Sequence, residues 1–468
     1  VDPYDLICIG CGPAGEKAAT QAACFGHRVA IVERDASLGG AVVNSATIGS
    51  KALRETALLC SAFRRRPLPG WECPVDRSLS LAKLMTQRYR VQYQEHDRIE
   101  QTLNRAGITV HRGHGRIVDP QTVSVEAIDG TTTTLKTKFI LIATGSSALR
   151  PDHIPFDRPR VVDGDEVLGL SRVPDSVVVA GGGVIGCEYA CMFAEIGVSV
   201  TLVDSRPALL PFVDPECRDH LLRAMGDQGI DVRLNTSIAD ATDEGASVCA
   251  RCDTGDEFRC DVLLWTAGRR SNTRDMGLED LGLALGPGGR IEVNEQYQTS
   301  VPNVYAAGDV IGFPALASTS MEQGRIAACR MFGVDFKTKL AATVPFGLYT
   351  IPALFTVGLT ERQAAEDGRD AVVGRALYRY NVRGRMLGEE QGIMKCVFDR
   401  RTRRLLGATI LGEAAAELIH VAQFVISLDG GIDDLIDGCF NFPSLSELYK
   451  YAAYDALQAL AADRAQAA

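Results

Sequence analysis

DLICIGCGPAGEKAATQAACFGHRVAIVER, residues 5–34, decides the fold. DLICIG is an apolar run of strand length, and glycines follow at positions 10, 12 and 15. The alanine-rich stretch after them predicts a helix, and HRVAIVER predicts a second strand ending at Glu33. Strand, glycine turn, helix and strand in this order form a βαβ unit with parallel strands. In G-x-G-x-x-G spacing, Gly10 permits the tight turn, Gly12 lets backbone approach a pyrophosphate, and Gly15 lets the helix pack on the strand. The pyrophosphate then rests on a helix N-terminus, where free N–H groups and the dipole favour anions. Glu33 lies 23 residues after Gly10, where a carboxylate accepts bonds from adenosine ribose hydroxyls.

The pattern occurs twice. SVVVAGGGVIGCEYACMFAEIG, residues 176–197, repeats strand, turn and helix with glycines at 181, 183 and 186. VSVTLVD follows, and Asp204 again lies 23 residues after the first glycine. Asp204 favours NAD by accepting from the 2′-hydroxyl and repelling a 2′-phosphate. Arg206, two residues on, either pairs with that phosphate or is a solvated loop residue. Two further strands end in Thr144-Gly145-Ser146 and Ala267-Gly268-Arg269, and VYAAGDVIG carries Gly308-Asp309. Two dinucleotide folds in one chain imply two dinucleotides, unless one copy is vestigial.

Residues 51–106 read as mainly helical, interrupted by RRRPLPGWECP from Arg64 to Pro74, and the run Arg64 to Arg66 reads as a solvated loop edge. ITVHRGHGRIVD and TVSVEAI read as strands. Late in the chain, GIMKCVFD and RLLGATILG predict a hairpin across the polar turn RRTRR. Two helices complete this part, and the tail AADRAQAA is expected to be loose. The expected fold is α/β. An FAD-binding part over 1–150 resumes over 275–344, an NAD(P)-binding domain over 151–274 is inserted in it, and an α+β dimerisation domain covers 345–468.

A net charge of −10 disfavours nonspecific binding to nucleic acid or anionic membranes. No apolar run reaches the 18 or so residues of a membrane span, so a cytoplasmic location is expected. The fourteen cysteines follow no framework and read as free thiols. Cys8 with Cys11, and Cys249 with Cys252, make C-x-x-C pairs, but no second pair lies at ligand spacing, and no metal is expected.

GGAVVNSATIGSK, residues 39–51, completes the set. With both glycine loops, both A-x-G strands and Gly308-Asp309 in order, the chain resembles the pyridine nucleotide-disulfide oxidoreductases over nearly its whole length. That family carries a redox disulfide, C-x-x-x-x-C, after the paired glycines; here Val42 and Thr47 stand at the cysteine positions. Family members that handle thiols place a His, supplied by the partner subunit, before a late proline; here it is Phe442, with Glu447 retained. The soluble pyridine nucleotide transhydrogenases within the family share the Thr and the late aromatic, and are the nearest resemblance. Gly49 stands where the family has Pro, which implies a looser turn beside the flavin, and Ala353 where it often has Glu.

The resemblance implies an FAD site from Gly10, Gly12, Pro13, Ala14, Gly15, Glu33, Arg34, Gly40, Ala41, Lys51, Gly115, Thr144, Gly145, Ser146, Asp309 and Ala317. It implies a nicotinamide dinucleotide site from Gly181, Gly183, Val184, Ile185, Gly186, Glu188, Asp204, Arg206 and Gly268. Lys51 is implied beside flavin N5 with Glu188 as its partner, and Thr47 either bonds near the flavin or caps its turn. The implied activity is FAD-dependent transhydrogenation, moving hydride between NADPH and NAD⁺ by a ping-pong mechanism in a homodimer. An NAD(P)H:quinone reductase and a noncatalytic NAD(H)-binding redox sensor are the alternatives.

Overall fold

The computed structural model describes residues 2–65 and 84–467. Most of the interruption expected after Arg64, including Arg66 and Cys73, lies outside those residues.

Strand β1 (Tyr4–Ile9) runs parallel to β2 (Val29–Glu33) on one side and to β6 (Thr132–Ile142) on the other, with Leu6 opposite Val29 and Phe139. Strands β3 (Thr109–Arg112), β4 (His114–Asp119) and β5 (Thr122–Glu126) extend the order to β3-β2-β1-β6-β5-β4. β3 and β4 are one expected strand broken at Gly113, whose φ of +154° leaves no room for a Cβ beside the Glu126 carbonyl. The last member comes from far along the chain. β17 (Val304–Ala306) joins β6 in parallel, with Val304 opposite Ile140. Helix α1 (Pro13–Cys24) covers this sheet, and α7 (Ala317–Met331) lies across α1. Their backbones meet so closely that a Cβ at Gly324 would overlap the Ala14 carbonyl.

Between β2 and β3 come α2 (Gly40–Asn44), α3 (Thr47–Arg65) and α4 (Thr86–Arg105). A narrow antiparallel ribbon of β7 (Ser146–Ala148) and β16 (Arg269–Ser271) marks where the chain leaves the first fold and returns. Between them lies a five-stranded parallel sheet in the order β11-β10-β9-β15-β8. It comprises β8 (Val161–Asp163), β9 (Ser176–Ala180), β10 (Ser199–Asp204), β11 (Asp231–Leu234) and β15 (Val262–Trp265). Strands β12 (Ile238–Asp243), β13 (Val248–Cys252) and β14 (Glu257–Cys260) form an antiparallel meander. Helix α5 (Val184–Glu195) is buried along ten of its residues, which explains its near-continuous apolar sequence, and α6 (Pro215–Asp227) follows β10.

The third sheet is antiparallel in the order β18-β19-β22-β21-β20. The expected hairpin is β21 (Ile393–Asp399) with β22 (Leu405–Leu411); β18 (Phe346–Leu348), β19 (Leu354–Gly358) and β20 (Ala371–Leu377) flank it. Helices α8 (Glu361–Glu366), α9 (Val382–Leu387), α10 (Ala415–Ser427), α11 (Ile432–Asp437) and α12 (Glu447–Ala467) complete the chain. The tail expected to be loose is helical through Ala467. Its alanines, glutamine and arginine favour helix, and Asp463 pairs with Arg400 across from it.

Lys395 on β21 is buried, and its ammonium meets Glu361 at 2.7 Å, Asp214 at 2.9 Å and Glu216 at 3.1 Å. Asp214 caps α6 by accepting from the Glu216 and Cys217 amides. The cluster therefore binds the second parallel sheet's helix to the third sheet. None of the thirteen described cysteines is in a disulfide. Burial, opposed by the Gly39 amide, pushes the Cys11 thiol up to about 12.

Candidate active site

A cleft of about 1580 Å³ opens along the first sheet and reaches α5 and β18. Gly10, Gly12, Pro13, Ala14, Glu33, Arg34, Gly40, Ala41, Thr47, Lys51, Gly115, Thr144, Gly145, Ser146, Asp309 and Ala317 line it, joined by Val184, Ile185 and Glu188. Gly15 stands behind, where a Cβ would overlap the Gly10 carbonyl.

The cleft fits FAD on its own geometry. A Cβ at Gly12 would face open space, with only Gly40 Cα at 4.0 Å, and Gly40 at φ +59° brings the α2 backbone over it. Two backbones thus wall a groove at the N-terminus of α1, whose Gly12 cap has no side-chain bond, so its amides stay open to a phosphate. Glu33 is set at the groove end by the Cys11 amide at 2.8 Å and the Asp35 amide at 2.9 Å. Burial raises its pKa against those two bonds. Across the cleft, the Ser146 hydroxyl donates to Asp309 at 3.1 Å, and Arg269 Nε donates to the Ser146 hydroxyl at 2.9 Å. Asp309 is thereby oriented from the first and second folds together.

Lys51 Nζ donates to Glu188 Oε2 at 2.8 Å across α3 and α5. Glu188 is buried, and its other oxygen accepts from the Tyr349 amide at 2.8 Å. The Tyr349 ring lies under the same ammonium, 4.8 Å from Nζ to centroid. Sequence reasoning paired Lys51 with Glu188 but missed Tyr349, because it belongs to no motif and only the third sheet's docking brings it in.

Val42 and Thr47 line the cleft where the family carries its disulfide. Thr47 opens α3, and its carbonyl accepts from the Ser50 hydroxyl at 3.2 Å. The loop is not loosened at Gly49, as the missing Pro implied. A Cβ there would lie 2.5 Å from Leu168 Cδ1 and 3.1 Å from Arg88 Nε. Arg88 uses that space to donate to the Asn44 carbonyl at 3.0 Å, while His96 Nε2 meets Asn44 Oδ1 at 2.8 Å. Helix α4 therefore clamps the loop, and Gly49 makes room for the clamp.

Gly181, Asp204, Arg206 and Gly268, at or just after the ends of the second sheet's strands, lie outside the cleft lining, as do Gly183 and Gly186 at the start of α5. Gly183 caps α5, and its Cβ direction is open. Asp204 accepts from the Gly182 amide at 2.5 Å and from Arg206 through Nε at 2.9 Å and Nη2 at 2.6 Å. Burial raises the Asp204 pKa, but the Arg206 and backbone bonds outweigh it and leave the carboxyl below its usual range. Arg206 is thus half-exposed but not free: its guanidinium bonds the Asp204 carboxylate.

Phe442 is 65% exposed and is not part of this chain's own cleft. Phe424, Leu428, Tyr451 and Tyr454 are exposed on α10 and α12 of the same third sheet region.

Two nucleotide-binding folds, the second inserted in the first, a shared cleft and a lysine–carboxylate pair define a two-dinucleotide flavin oxidoreductase. The chain belongs to the pyridine nucleotide-disulphide oxidoreductase family, whose model matches residues 4–324, with the family's dimerisation domain over 344–453. It is 39% identical over 462 residues to the soluble pyridine nucleotide transhydrogenase of Mycobacterium bovis, covering 98% of both chains. The corresponding protein of Pseudomonas putida is 37% identical over 468 residues, covering 98% of this chain and 99% of that one. Among solved structures, LpdA of Mycobacterium tuberculosis superposes with a TM-score of 0.89 at 28% identity, covering 96% of this chain and 99% of that one. The HOCl-induced flavoprotein disulfide reductase RclA of Escherichia coli gives 0.87 at 26%, with the same coverages.

Proposed function

We propose that this chain is a soluble pyridine nucleotide transhydrogenase that moves hydride between NADPH and NAD⁺, one nicotinamide after the other at one site. One observation carries the reading: the Lys51–Glu188 pair is intact at 2.8 Å, while Val42, Thr47 and Phe442 hold the positions where thiol chemistry needs cysteines and a base. A hydrocarbon, a hydroxyl and a phenyl ring carry neither electrons nor protons for a disulfide.

FAD, when bound, supplies the ring that accepts hydride from one nicotinamide and returns it to the next. The residues do the rest. Gly10 to Gly15 and the α1 amides hold the pyrophosphate, Glu33 the adenosine ribose, and Asp309 with Ser146 the ribityl chain. Val184 and Ile185 wall the nicotinamide's approach. Lys51 brings a fixed positive charge to the reacting end of the cleft, and Glu188 keeps it there, so no reorganisation is needed as charge develops. The third sheet region is read as the homodimer contact through its exposed aromatic side chains. A cytoplasmic setting suits a donor and acceptor that are both diffusible nicotinamides. The relatives are named soluble, and no helix among the described residues is long and apolar enough to cross a membrane.

With one nicotinamide site, donor and acceptor cannot bind together. Double-reciprocal plots with NADPH and an NAD⁺ analogue varied should be parallel, with each substrate inhibiting at high concentration. Intersecting lines would sink the single-site reading. Rapid electron transfer to quinones with none to NAD⁺ would replace it with a quinone reductase.

A further inference from the structure

We infer that Tyr349, supplied by the third sheet, is a positioning residue for hydride transfer: its ring forms the floor on which the Lys51 ammonium stands. The ammonium has three neighbours on the protein side: Glu188 Oε2 at 2.8 Å, the Ser50 hydroxyl at 3.4 Å and the Tyr349 ring face at 4.8 Å. Its remaining side faces the cleft, which Lys51 lines. Lysine is a flexible chain with a strongly hydrated head, so one carboxylate does not set its direction. An aromatic face attracts the cation through its quadrupole and excludes the water that would compete for it.

Tyr349 is itself held. Its ring meets Phe355 edge-on, 5.1 Å between centroids at 86°. Phe355 takes the space left by Gly347, where a Cβ would overlap its ring. Tyr349 also reaches Glu188 directly, since its amide fixes the oxygen that Lys51 does not use. Arg54, one turn after Lys51 on α3, donates from Nε to the Thr350 carbonyl at 3.1 Å and pins the segment to that helix. A chain of packing therefore runs from Gly347 through Phe355 and Tyr349 to one ammonium.

The inference rests on Lys51 being the flavin's cation, so Lys51→Ala is measured alongside. The holoenzyme is compared with Tyr349→Phe and Tyr349→Leu, both of which keep the backbone amide. Three readouts are used: the stopped-flow rate of flavin reduction by NADPH, the flavin midpoint potential, and the rate at which an amine reagent labels Lys51. Tyr349→Leu is expected to slow reduction roughly three- to thirtyfold, the weight of a partly desolvated cation–π contact, to lower the potential and to speed labelling. Tyr349→Phe, which keeps the ring, is expected to restore all three. Should Tyr349→Leu not fold, Tyr349→Met carries the same comparison. A Phe variant as impaired as Leu would overturn the inference, because the hydroxyl and not the ring would matter. A Leu variant like wild type beside an impaired Lys51→Ala would also overturn it. No effect in any variant would remove Lys51 from the mechanism and the inference with it.

Discussion

At the scale of single residues, the proposed function assigns to Asp204 and Arg206 the choice between two nicotinamides at one ribose pocket. The guanidinium is bonded to Asp204 at 2.6 and 2.9 Å, and its own pKa is raised first by that bond. Under the proposed function it would turn from the carboxylate to the 2′-phosphate of NADPH. Arg206→Ala then loses the phosphate contact and also bares a carboxylate that repels it. The Michaelis constant for NADPH should rise roughly tenfold, the low end for a charged bond at a half-exposed site, with NADH spared. Adding Asp204→Asn should recover part of the loss. Equal effects on both cofactors, or no recovery, would show that neither group meets the phosphate. The pair was legible as two residues at the right spacing. Their bond was not, because nothing in a strand-end Asp-x-Arg says which way the arginine folds.

At the scale of elements, the β21–β22 hairpin was legible from alternating apolar runs and a charged turn, but Lys395 inside it was not. A lysine in an apolar strand reads as a mismatch until α6 and α8 bring three carboxylates to it. Burial lowers the Lys395 pKa, and the bonds from Glu361 and Asp214 more than reverse this. Glu216 is opposed by burial, yet Arg375 and Lys395 leave it below the ordinary 4.5. A carboxyl depressed in the fold stabilises fully above its unfolded value and loses that contribution as pH falls through the folded one. Thermal stability should therefore drop as pH goes below about 4.5, and Lys395→Met should flatten that acid limb. Either Lys395→Met or Lys395→Ala leaves the buried Asp214 carboxylate without its cation and should also destabilise at neutral pH by roughly 3–5 kcal/mol. A Met variant with an unchanged acid profile would show that the cluster does not tie the two sheets. The α4 clamp on Asn44 belongs at this scale too. Gly49 alone suggested slack, and only the neighbouring helix shows the space to be filled.

At the scale of the molecule, the replacement of the family's thiol-handling positions by Val42, Thr47 and Phe442 was legible at once. The protein should show no lipoamide or glutathione disulfide reductase turnover. Alkylation should leave hydride transfer largely intact, since the exposed thiols among the described residues, Cys24 and Cys439, lie off the cleft. Disulfide reduction at a rate near that of the nicotinamide reaction would overturn this. The order of the two folds was legible from repeated glycine loops and A-x-G strands. The docking of the third sheet onto the site was not, because Tyr349 and Phe355 carry no spacing rule.

One feature of that order reaches beyond the finished protein. The first sheet takes β17 at Val304–Ala306 and covers α1 with α7, so its opening residues wait on partners some three hundred positions later. On the ribosome, synthesis at roughly 5–20 residues per second separates the two by some fifteen to sixty seconds. The inserted fold, contiguous in sequence, is complete before then. The nascent chain is thus expected to hold a finished nicotinamide-binding unit beside an open, apolar half-sheet, and the flavin can be captured firmly only after the nicotinamide fold has already formed.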